Sequence, residues 1–325
     1  MMRRTLTAAA CALLIAFTAA CGLESGSAVP LPVASGSIKP VPALAGVNVT
    51  VGSKDFTEAN ILGYLIEFAL TAAGANVRDL TNIQGSNSLR DAQLHGQIDI
   101  AYDYTGTGWM NYLGNEKPVP DEQGQFDAVR AADRAANGME WAAMAPMNNT
   151  YALVASKTTV EQTGVRTLSD YARLIAKDPS AAATCVGTEF NVRQDGYPGM
   201  AKKYDIDVNA VQKQILQDPL VYQATADAKQ CRFGSVAATD GRIPALGLVL
   251  LEDDRAFFPK YNAALVMRAD FAQAHPAVID VLTPISALLT NPRITELNRK
   301  VDVEGREPAD VAREWLVEQG MVTLP

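Results

Sequence analysis

Residues 47–74 read VNVTVGSKDFTEANILGYLIEFALTAAG and decide how the folded part of the chain begins. Residues 47–51 alternate between apolar and polar side chains, as a half-buried strand does. From Ile61 onward, apolar residues recur at helical spacing until Gly74, a residue type that commonly ends helices. The segment therefore predicts a strand, a polar turn at residues 53–58 and an amphipathic helix.

The same alternation of strands and helices continues towards the C-terminus. Further strands are predicted at residues 77–83, 98–102, 151–155, 183–186, 233–238 and 262–267. Further helices are predicted at residues 88–95, 126–144, 168–177, 220–228, 276–289, 292–301 and 308–319. This rhythm predicts an α/β fold with mainly parallel sheets. Two such lobes, each with loops at its strand ends, predict a ligand cleft between them.

Composition excludes several classes of function. The 325 residues carry 28 Lys and Arg against 36 Asp and Glu, a net charge of −8, which disfavours a nucleic-acid partner. Two histidines and four cysteines leave little material for a metal centre, and no cofactor is expected. No nucleophile–base pair stands at a recognisable spacing, so a cleft hydrolase remains only a residual alternative.

The N-terminus has the pattern of an export signal. Arg3 and Arg4 precede an apolar run at residues 8–20, too short to span a bilayer but typical of a signal peptide over residues 1–20. The small residues before Cys21 resemble a bacterial lipobox, which predicts an acylated Cys21 and an anchor at the cell membrane. Ordinary cleavage and free secretion is the alternative. Residues 21–45, rich in Ser, Gly, Ala and Pro, are expected to be a flexible tether.

Export also bears on the two remaining cysteines. Cys11 and Cys21 belong to the signal and its processing site, so the mature domain retains Cys185 and Cys231, and an oxidising compartment favours a disulfide between them. In the chain-entropy model, closing a loop of this size stabilises a fold by roughly 4 kcal/mol. Two reduced, buried thiols are the alternative.

Tyrosines at predicted strand ends and turns are the most suggestive side chains. They are Tyr102, Tyr104, Tyr151, Tyr197 and Tyr261. Several ring faces together can hold a quaternary ammonium, which donates no hydrogen bonds and is bound by ring quadrupoles and dispersion. Each tyrosine could instead pack in a core with its hydroxyl satisfied.

Six motifs follow one another along the chain: GSKDFTE (52–58), DYTGT (103–107), NNTYAL (148–153), DGYPG (195–199), TDGRI (239–243) and LEDD (251–254) with FFPKY (257–261). In this order they resemble one family, the substrate-binding proteins of osmoprotectant ABC importers, which take glycine betaine, choline, carnitine and related quaternary amines. The resemblance covers about residues 47–324.

The resemblance implies a type II, periplasmic-binding-protein-like fold whose two lobes close over a ligand. Lobe I would comprise residues 46–149 and 255–325, and lobe II residues 150–254. The implied ligand-binding residues are Tyr104, Tyr151 and Tyr261 as cage rings, with Thr107, Ser53, Lys54 and Asp240 around them. The expected partners are an ABC permease with its ATPase. The expected protein is monomeric and is not an enzyme.

One position departs from the family pattern. Many members carry an aromatic residue and then Ser before the TDG motif, whereas this chain reads Val236-Ala237-Ala238. A cage with Ala237 in one wall would have three rings, or Tyr102 or Trp109 would compensate. Otherwise the ligand is larger than a simple betaine, such as an ergothioneine-like betaine, or is not quaternary.

Overall fold

The computed structural model describes residues 27–325. The expected signal peptide and the expected acylation site, Cys21, lie outside the described residues. The strands are β1 (Ser27–Ala28), β2 (Ala34–Ser35), β3 (Asn48–Lys54), β4 (Asn76–Ile83), β5 (Ile100–Tyr104), β6 (Met139–Ala142), β7 (Tyr151–Ser156), β8 (Thr184–Gly187), β9 (Lys213–Leu216), β10 (Phe233–Ala237), β11 (Leu248–Leu250), β12 (Ala263–Arg268) and β13 (Val322–Thr323).

A π-helical turn, Thr107–Tyr112, follows β5. The α-helices are α1 (Thr57–Ala72), α2 (Ser86–Leu94), α3 (Glu122–Asn137), α4 (Lys157–Thr163), α5 (Leu168–Lys177), α6 (Thr188–Val192), α7 (Tyr197–Lys203), α8 (Asp218–Asp227), α9 (Arg242–Ala245), α10 (Ala269–Ala274), α11 (Pro276–Leu288), α12 (Asn291–Asp302) and α13 (Pro308–Glu318).

Two separate sheets organise the molecule into two lobes. Lobe I holds a six-stranded sheet in the order β1-β4-β3-β5-β12-β6, and lobe II holds a five-stranded sheet in the order β11-β7-β10-β8-β9. The chain passes from lobe I to lobe II between β6 and β7 and returns between β11 and β12. These two connections contain the boundaries expected at residues 149/150 and 254/255. The fold is the two-lobed α/β architecture that the sequence predicts.

The sheets are mixed rather than mainly parallel, so this part of the prediction is wrong. In lobe I, β3 runs parallel to β4 and β5, but β12 runs antiparallel to β5 and β6. In lobe II, β7 runs antiparallel to both β10 and β11. Parallel neighbours need a crossover, usually helical. Because β12 enters its sheet directly from the other lobe, it is free of that constraint.

The helix predicted over residues 126–144 ends early. Helix α3 ends at Asn137, because the next residue, Gly138, adopts the left-handed conformation at φ 67°. The next four residues form β6, which pairs with β12 at the edge of the lobe I sheet. The sequence did not reveal this strand because its apolar residues continue the helical spacing of α3.

The prediction of a flexible tether over residues 21–45 is wrong from Ser27 onward, because the chain there packs on lobe I. β1 pairs with β4 at the sheet edge, and β2 pairs with β13 near the C-terminus. Leu44 is fully buried, and further apolar residues pack against the core of lobe I. They are Val29, Leu31, Val33, Ile38 and Val41. The prediction was based on the high content of Ser, Gly and Pro and overlooked these apolar residues. They are close enough together to hold an extended segment against the core.

Each lobe has its own hydrophobic core. Helix α1 is buried along most of its length between the lobe I sheet and helices α11 to α13, with Phe68 and Trp315 fully enclosed. Lobe II packs around Phe233 and Tyr171. Within residues 27–325, none of the helices combines the length and apolar character that a membrane crossing needs.

Candidate functional site

The two connections between the lobes run side by side. Asn148 and Asn262 form an antiparallel bridge, and the amide N–H of Asn149 donates to the carbonyl oxygen of Tyr261 at 3.1 Å. The amide N–H of Tyr261 donates to Oδ1 of Asn148 at 2.8 Å. Tyr151 begins β7 directly after the first connection. Two of the three predicted cage tyrosines therefore lie where the lobes are joined.

Tyr151 and Tyr261 are in direct contact. Their ring centroids are 5.4 Å apart with an interplanar angle of 73°, an edge-to-face arrangement. Phe190, from α6 of lobe II, also packs edge-to-face on Tyr151, with centroids 5.1 Å apart. Phe258 lies 6.5 Å from Tyr151 by the same measure. The result is a cluster of four rings contributed by lobe II and the second connection.

Tyr104, the third predicted cage residue, ends β5 on the lobe I side. The ammonium nitrogen of Lys54 lies 5.1 Å from its ring centroid. Lys54 donates to Oδ1 of Asp103 at 2.7 Å, and both side chains of this ion pair are almost fully buried. The strand order of lobe I explains the meeting, because β3 and β5 are neighbours and end at the same edge.

Arg193 connects the two lobes across the cleft. Its Nη2 atom lies 3.2 Å from Oγ1 of Thr107 in lobe I, and its guanidinium carbon lies 5.6 Å from the ring centroid of Tyr151. Its charge is balanced by Asp195, and the hydroxyl of Tyr261 donates to the same carboxylate at 2.6 Å. Arg193 thus contacts Thr107 and the ring of Tyr151 directly, and it is linked to Tyr261 through Asp195.

The rings of Tyr104 and Tyr151 each lie close to a positive charge of the protein itself. Each has a protein cation, Lys54 or Arg193, within the distance at which a cation–π attraction operates. Burial raises the pKa of the Tyr104, Tyr151 and Tyr261 phenols above their ordinary value. The phenols therefore stay protonated at neutral pH. The rings remain neutral hydrogen-bond donors with electron-rich faces.

A buried carboxylate lies behind Tyr104. Glu58, in the first turn of α1, accepts hydrogen bonds from the Tyr104 hydroxyl and the Asn149 amide, both at 2.8 Å. Its other oxygen accepts from the hydroxyl of Thr239 and from the Asn298 amide at 3.0 Å. Burial raises the pKa of Glu58, and the four donors oppose that rise. We refer to Glu58, Tyr104, Asn149, Thr239 and Asn298 as the hinge cluster.

Two of the predicted binding residues are engaged elsewhere. The Ser53 hydroxyl donates to Oδ1 of Asn60 at 2.6 Å and accepts from the amide N–H of Asn82 at 2.9 Å. Asp240 accepts from the backbone and guanidinium of Arg242 in the turn after β10. In these contacts both side chains hold local structure and touch neither Arg193 nor the ring cluster.

Three other aromatic residues singled out from the sequence have structural positions. The Tyr102 hydroxyl lies 2.6 Å from Oγ of Ser286 inside the core of lobe I. Tyr197 is fully buried in the core of lobe II. Trp109 donates from Nε1 to the carbonyl oxygen of Lys117. Ala237 pairs with Tyr151 across β10 and β7, and its backbone N–H donates to the hydroxyl of Tyr222 at 3.2 Å.

The predicted cysteine pair is bonded. Cys185, in β8, and Cys231, just before β10, form a disulfide with a Cα–Cα distance of 5.5 Å. The bridge ties together two neighbouring parallel strands of lobe II. It lies in a small apolar cluster with Val221 of α8. None of the cage residues belongs to this cluster.

Sequence reasoning missed Glu58, Phe190 and Arg193. Glu58 stands inside the first quoted motif, but a glutamate near a helix start usually faces solvent. Phe190 and Arg193 lie just before the motif at residues 195–199. The only sequence signal was that an aromatic residue is followed three positions later by Arg193, and Arg193 two positions later by Asp195. This signal is weak.

Two α/β lobes, joined twice, with rings and paired charges where they meet, define a two-lobed solute-binding protein. The chain belongs to the family described as the substrate binding domain of ABC-type glycine betaine transport systems, whose model matches residues 47–318. The sequence-based assignment to this family is confirmed.

Individual relatives agree with the family. A glycine-betaine-binding protein of Pseudomonas aeruginosa is 32% identical over 277 residues, covering 84% of this chain and 88% of that protein. The ergothioneine transport permease/ergothioneine binding protein of Helicobacter pylori is 26% identical, and the match covers 84% of this chain and 48% of that protein. The apo structure of YehZ from Escherichia coli matches with a TM-score of 0.63 at 27% identity, covering 84% of this chain and 99% of that one. These relatives bind or transport solutes, and the chain is a substrate-binding protein of this type.

Proposed function

We propose that the protein is an extracytoplasmic lipoprotein that binds a quaternary ammonium osmoprotectant and delivers it to an ABC importer. Glycine betaine, choline and carnitine are the leading ligands. The observation that carries the proposal is the contact between Tyr151 and Tyr261, with Arg193 over the face of Tyr151. A ring face that accepts a guanidinium in this position has the electrostatics to accept a methylated ammonium.

The polar side of the site suits a carboxylate or hydroxyl on the same ligand. Arg193 carries fixed donors, and the hydroxyl of Thr107 lies within hydrogen-bond distance of them. Lys54 adds a second cation close to Tyr104. In this proposal the ligand's positive end contacts Tyr104, Tyr151 and Tyr261, and its polar end faces Thr107, Lys54 and Arg193. Ser53 and Asp240 support the surrounding turns.

A larger betaine is the second candidate. Ala237 stands beside Tyr151 where an aromatic residue would narrow the site, and Phe190 supplies a ring from a different direction. In this second proposal, the small side chain of Ala237 leaves room for a ligand bulkier than glycine betaine. One relative that matches across 84% of this chain is described as an ergothioneine binding protein, which supports testing that ligand class.

The remaining parts of the proposal concern location and partners. Acylation of Cys21 would hold the protein at the outer face of the cell membrane, where a monomer would present its ligand to a permease whose ATPase partner supplies the energy. A disulfide between Cys185 and Cys231 is consistent with an oxidising compartment outside the cytoplasm.

Calorimetry with glycine betaine, choline, carnitine and ergothioneine tests the ligand. We expect measurable binding of at least one of the four, and absence of heat with all of them would contradict the proposal. Tyr151→Ala should weaken binding by about 1–2 kcal/mol, because it removes one ring face. Tyr151→Phe is the matched control, since it keeps the ring and should retain most of the affinity. Equal affinity in Tyr151→Ala and the unaltered protein would remove Tyr151 from the site.

A further inference from the structure

A second contact between the lobes lies outside the hinge cluster. Glu189, on α6 of lobe II, accepts a hydrogen bond at Oε1 from the backbone N–H of Ser86, at 2.7 Å. Its Oε2 accepts from the hydroxyl of Ser86 at 3.0 Å. Ser86 is the first residue of α2 in lobe I. We refer to Ser86, Glu189 and Arg193 as the rim contact.

The N-cap residue of helix α2 provides no side-chain cap, and the lobe I carboxylate nearest this end, Asp55, accepts at 3.2 Å only from the N–H of Gly85, the residue before the helix. Gly85 has no side chain and adopts φ 82°, in the left-handed region. The first backbone N–H groups of a helix have no partner within the helix, and a carboxylate is the preferred acceptor there because of the helix dipole. Glu189 supplies that carboxylate from the opposite lobe.

Gly85 also permits the approach. A Cβ atom at this position would stand 3.3 Å from Oε1 of Glu189, tighter than an ordinary contact, and the positive φ disfavours any other residue. The absence of a side chain therefore serves both the turn and the access of the carboxylate to the helix end.

Arg193 joins the rim contact to the ligand site. Its Nη1 atom lies 3.2 Å from the Ser86 hydroxyl oxygen and 3.2 Å from Oε2 of Glu189, while its Nη2 atom reaches Thr107. Although burial alone would raise it, the pKa of Glu189 is held below its ordinary value, mainly by Lys54 and Arg193. The capping carboxylate therefore stays ionised at neutral pH.

We propose that Glu189 is a positioning residue that caps helix α2 across the cleft and thereby stabilises the closed arrangement of the two lobes. The inference rests on the proposed binding by lobe closure. A contact made only when the lobes meet shifts the closing equilibrium by its own free energy, whatever the ligand. Glu189 therefore increases the affinity for every ligand of the cleft by the same factor.

The affinity test uses Glu189→Ala and the ligand panel of the previous section. We expect affinity to fall about three- to tenfold, the range for a carboxylate capping a helix, and by the same factor for each ligand that binds. Glu189→Gln keeps an acceptor oxygen but loses the charge, so its affinity should lie between those of Glu189→Ala and the unaltered protein. Glu161→Ala is the matched control, because Glu161 is exposed on α4 of the same lobe. Unchanged affinity in Glu189→Ala overturns the inference. A loss confined to ligands with one kind of polar group also overturns it, since Glu189 would then be a ligand contact.

A cross-linking test works even if no ligand in the panel binds. Ser86→Cys with Glu189→Cys should form a disulfide under mild oxidation, because trapping accumulates even a minor population in which the two positions meet. Ser86→Cys with Glu161→Cys is the mismatched control and should remain unlinked. Absence of the first cross-link overturns the inference. If the cross-link forms but nothing in the panel binds, the rim contact stands and the proposed ligand class falls.

Discussion

Two of the contacts between the lobes differ in chemistry. In the hinge cluster, the buried carboxylate of Glu58 is surrounded by four neutral donors from four parts of the chain. At the rim contact, the carboxylate of Glu189 meets a backbone N–H, a hydroxyl and a guanidinium, and about a third of its side chain is exposed. The same chemical group is therefore enclosed at one place and open to water at the other.

Burial determines what each contact does when it breaks. Separating Glu58 from its donors leaves polar groups unpaired where water has poor access, which is costly. Separating Glu189 from Ser86 exposes both to water, which replaces most of the lost hydrogen bonding. The hinge cluster is thus suited to hold the lobes together permanently, and the rim contact is suited to open and close.

The largest expected effect is the loss of the hinge carboxylate. Glu58→Ala leaves the donors from Tyr104, Asn149, Thr239 and Asn298 without their acceptor. We expect the free energy of unfolding to fall by about 3 kcal/mol, because several buried polar groups lose a partner at once. Chemical denaturation measures it, with Glu161→Ala as the exposed control. A loss below about 1 kcal/mol would show that the four donors find other partners, and the contrast between the two contacts would disappear.

A second buried glutamate on helix α1 differs from Glu58 in its hydrogen bonding. Glu67 is fully buried in α1, and neither of its oxygens accepts a hydrogen bond. Burial, with the nearby carboxylate of Asp79 adding to it, raises the pKa of Glu67 from 4.5 to about 9. Unlike Glu58, this group has no donors to offset its burial, so we expect it to be protonated in the folded protein at neutral pH.

The pH dependence of stability tests this difference. The pKa of Glu67 is higher in the folded than in the unfolded chain. Its contribution to the free energy of unfolding is therefore complete below about pH 4.5 and is lost as the pH rises towards 9. Between pH 7 and pH 9 we expect a loss of about 2 kcal/mol. Glu67→Gln, which resembles the protonated acid, should remove this slope in denaturation curves. An unaltered slope in the variant would assign the effect to other groups.

Much of the fold was predictable because local patterns determine it. The strand and helix of residues 47–74 appear as β3 and α1, and the C-terminal helices begin close to their prolines. The N-terminal segment was not predictable, because a few apolar residues among Ser, Gly and Pro give no period. Its packing depends on strands β4 and β13, which are formed by distant parts of the chain.

The site was predictable in part, for the same reason. Tyrosines at strand ends can be found by position, and Tyr151 and Tyr261 do meet. Arg193 and Glu189 act across the cleft, on partners 86 and 103 residues away in sequence. A charged residue on a short helix gives no sign of such a partner until both lobes are placed. The same holds for Glu58, whose donors include one 240 residues away.

The smallest expected effects compare one hydroxyl at each contact. Thr239→Val removes one of the four donors of Glu58 while keeping the shape of the side chain. We expect the free energy of unfolding to fall by about 1 kcal/mol, as for one buried hydrogen bond. Ser86→Ala removes the hydroxyl from the rim contact but leaves its backbone N–H to Glu189. Here we expect stability within about 0.5 kcal/mol of the unaltered protein and affinity weaker by about threefold.

Both variants should be measured by denaturation and by calorimetry, because the two contacts are expected to differ in their effects on stability and on affinity. A hinge contact that persists in the open and closed arrangements contributes to folding, whereas a rim contact that exists only on closure contributes to binding. If Ser86→Ala destabilised the fold as much as Thr239→Val does, the rim contact would be permanent. The two lobes would then be fixed at both contacts, and a ligand would have to enter by some route other than their separation.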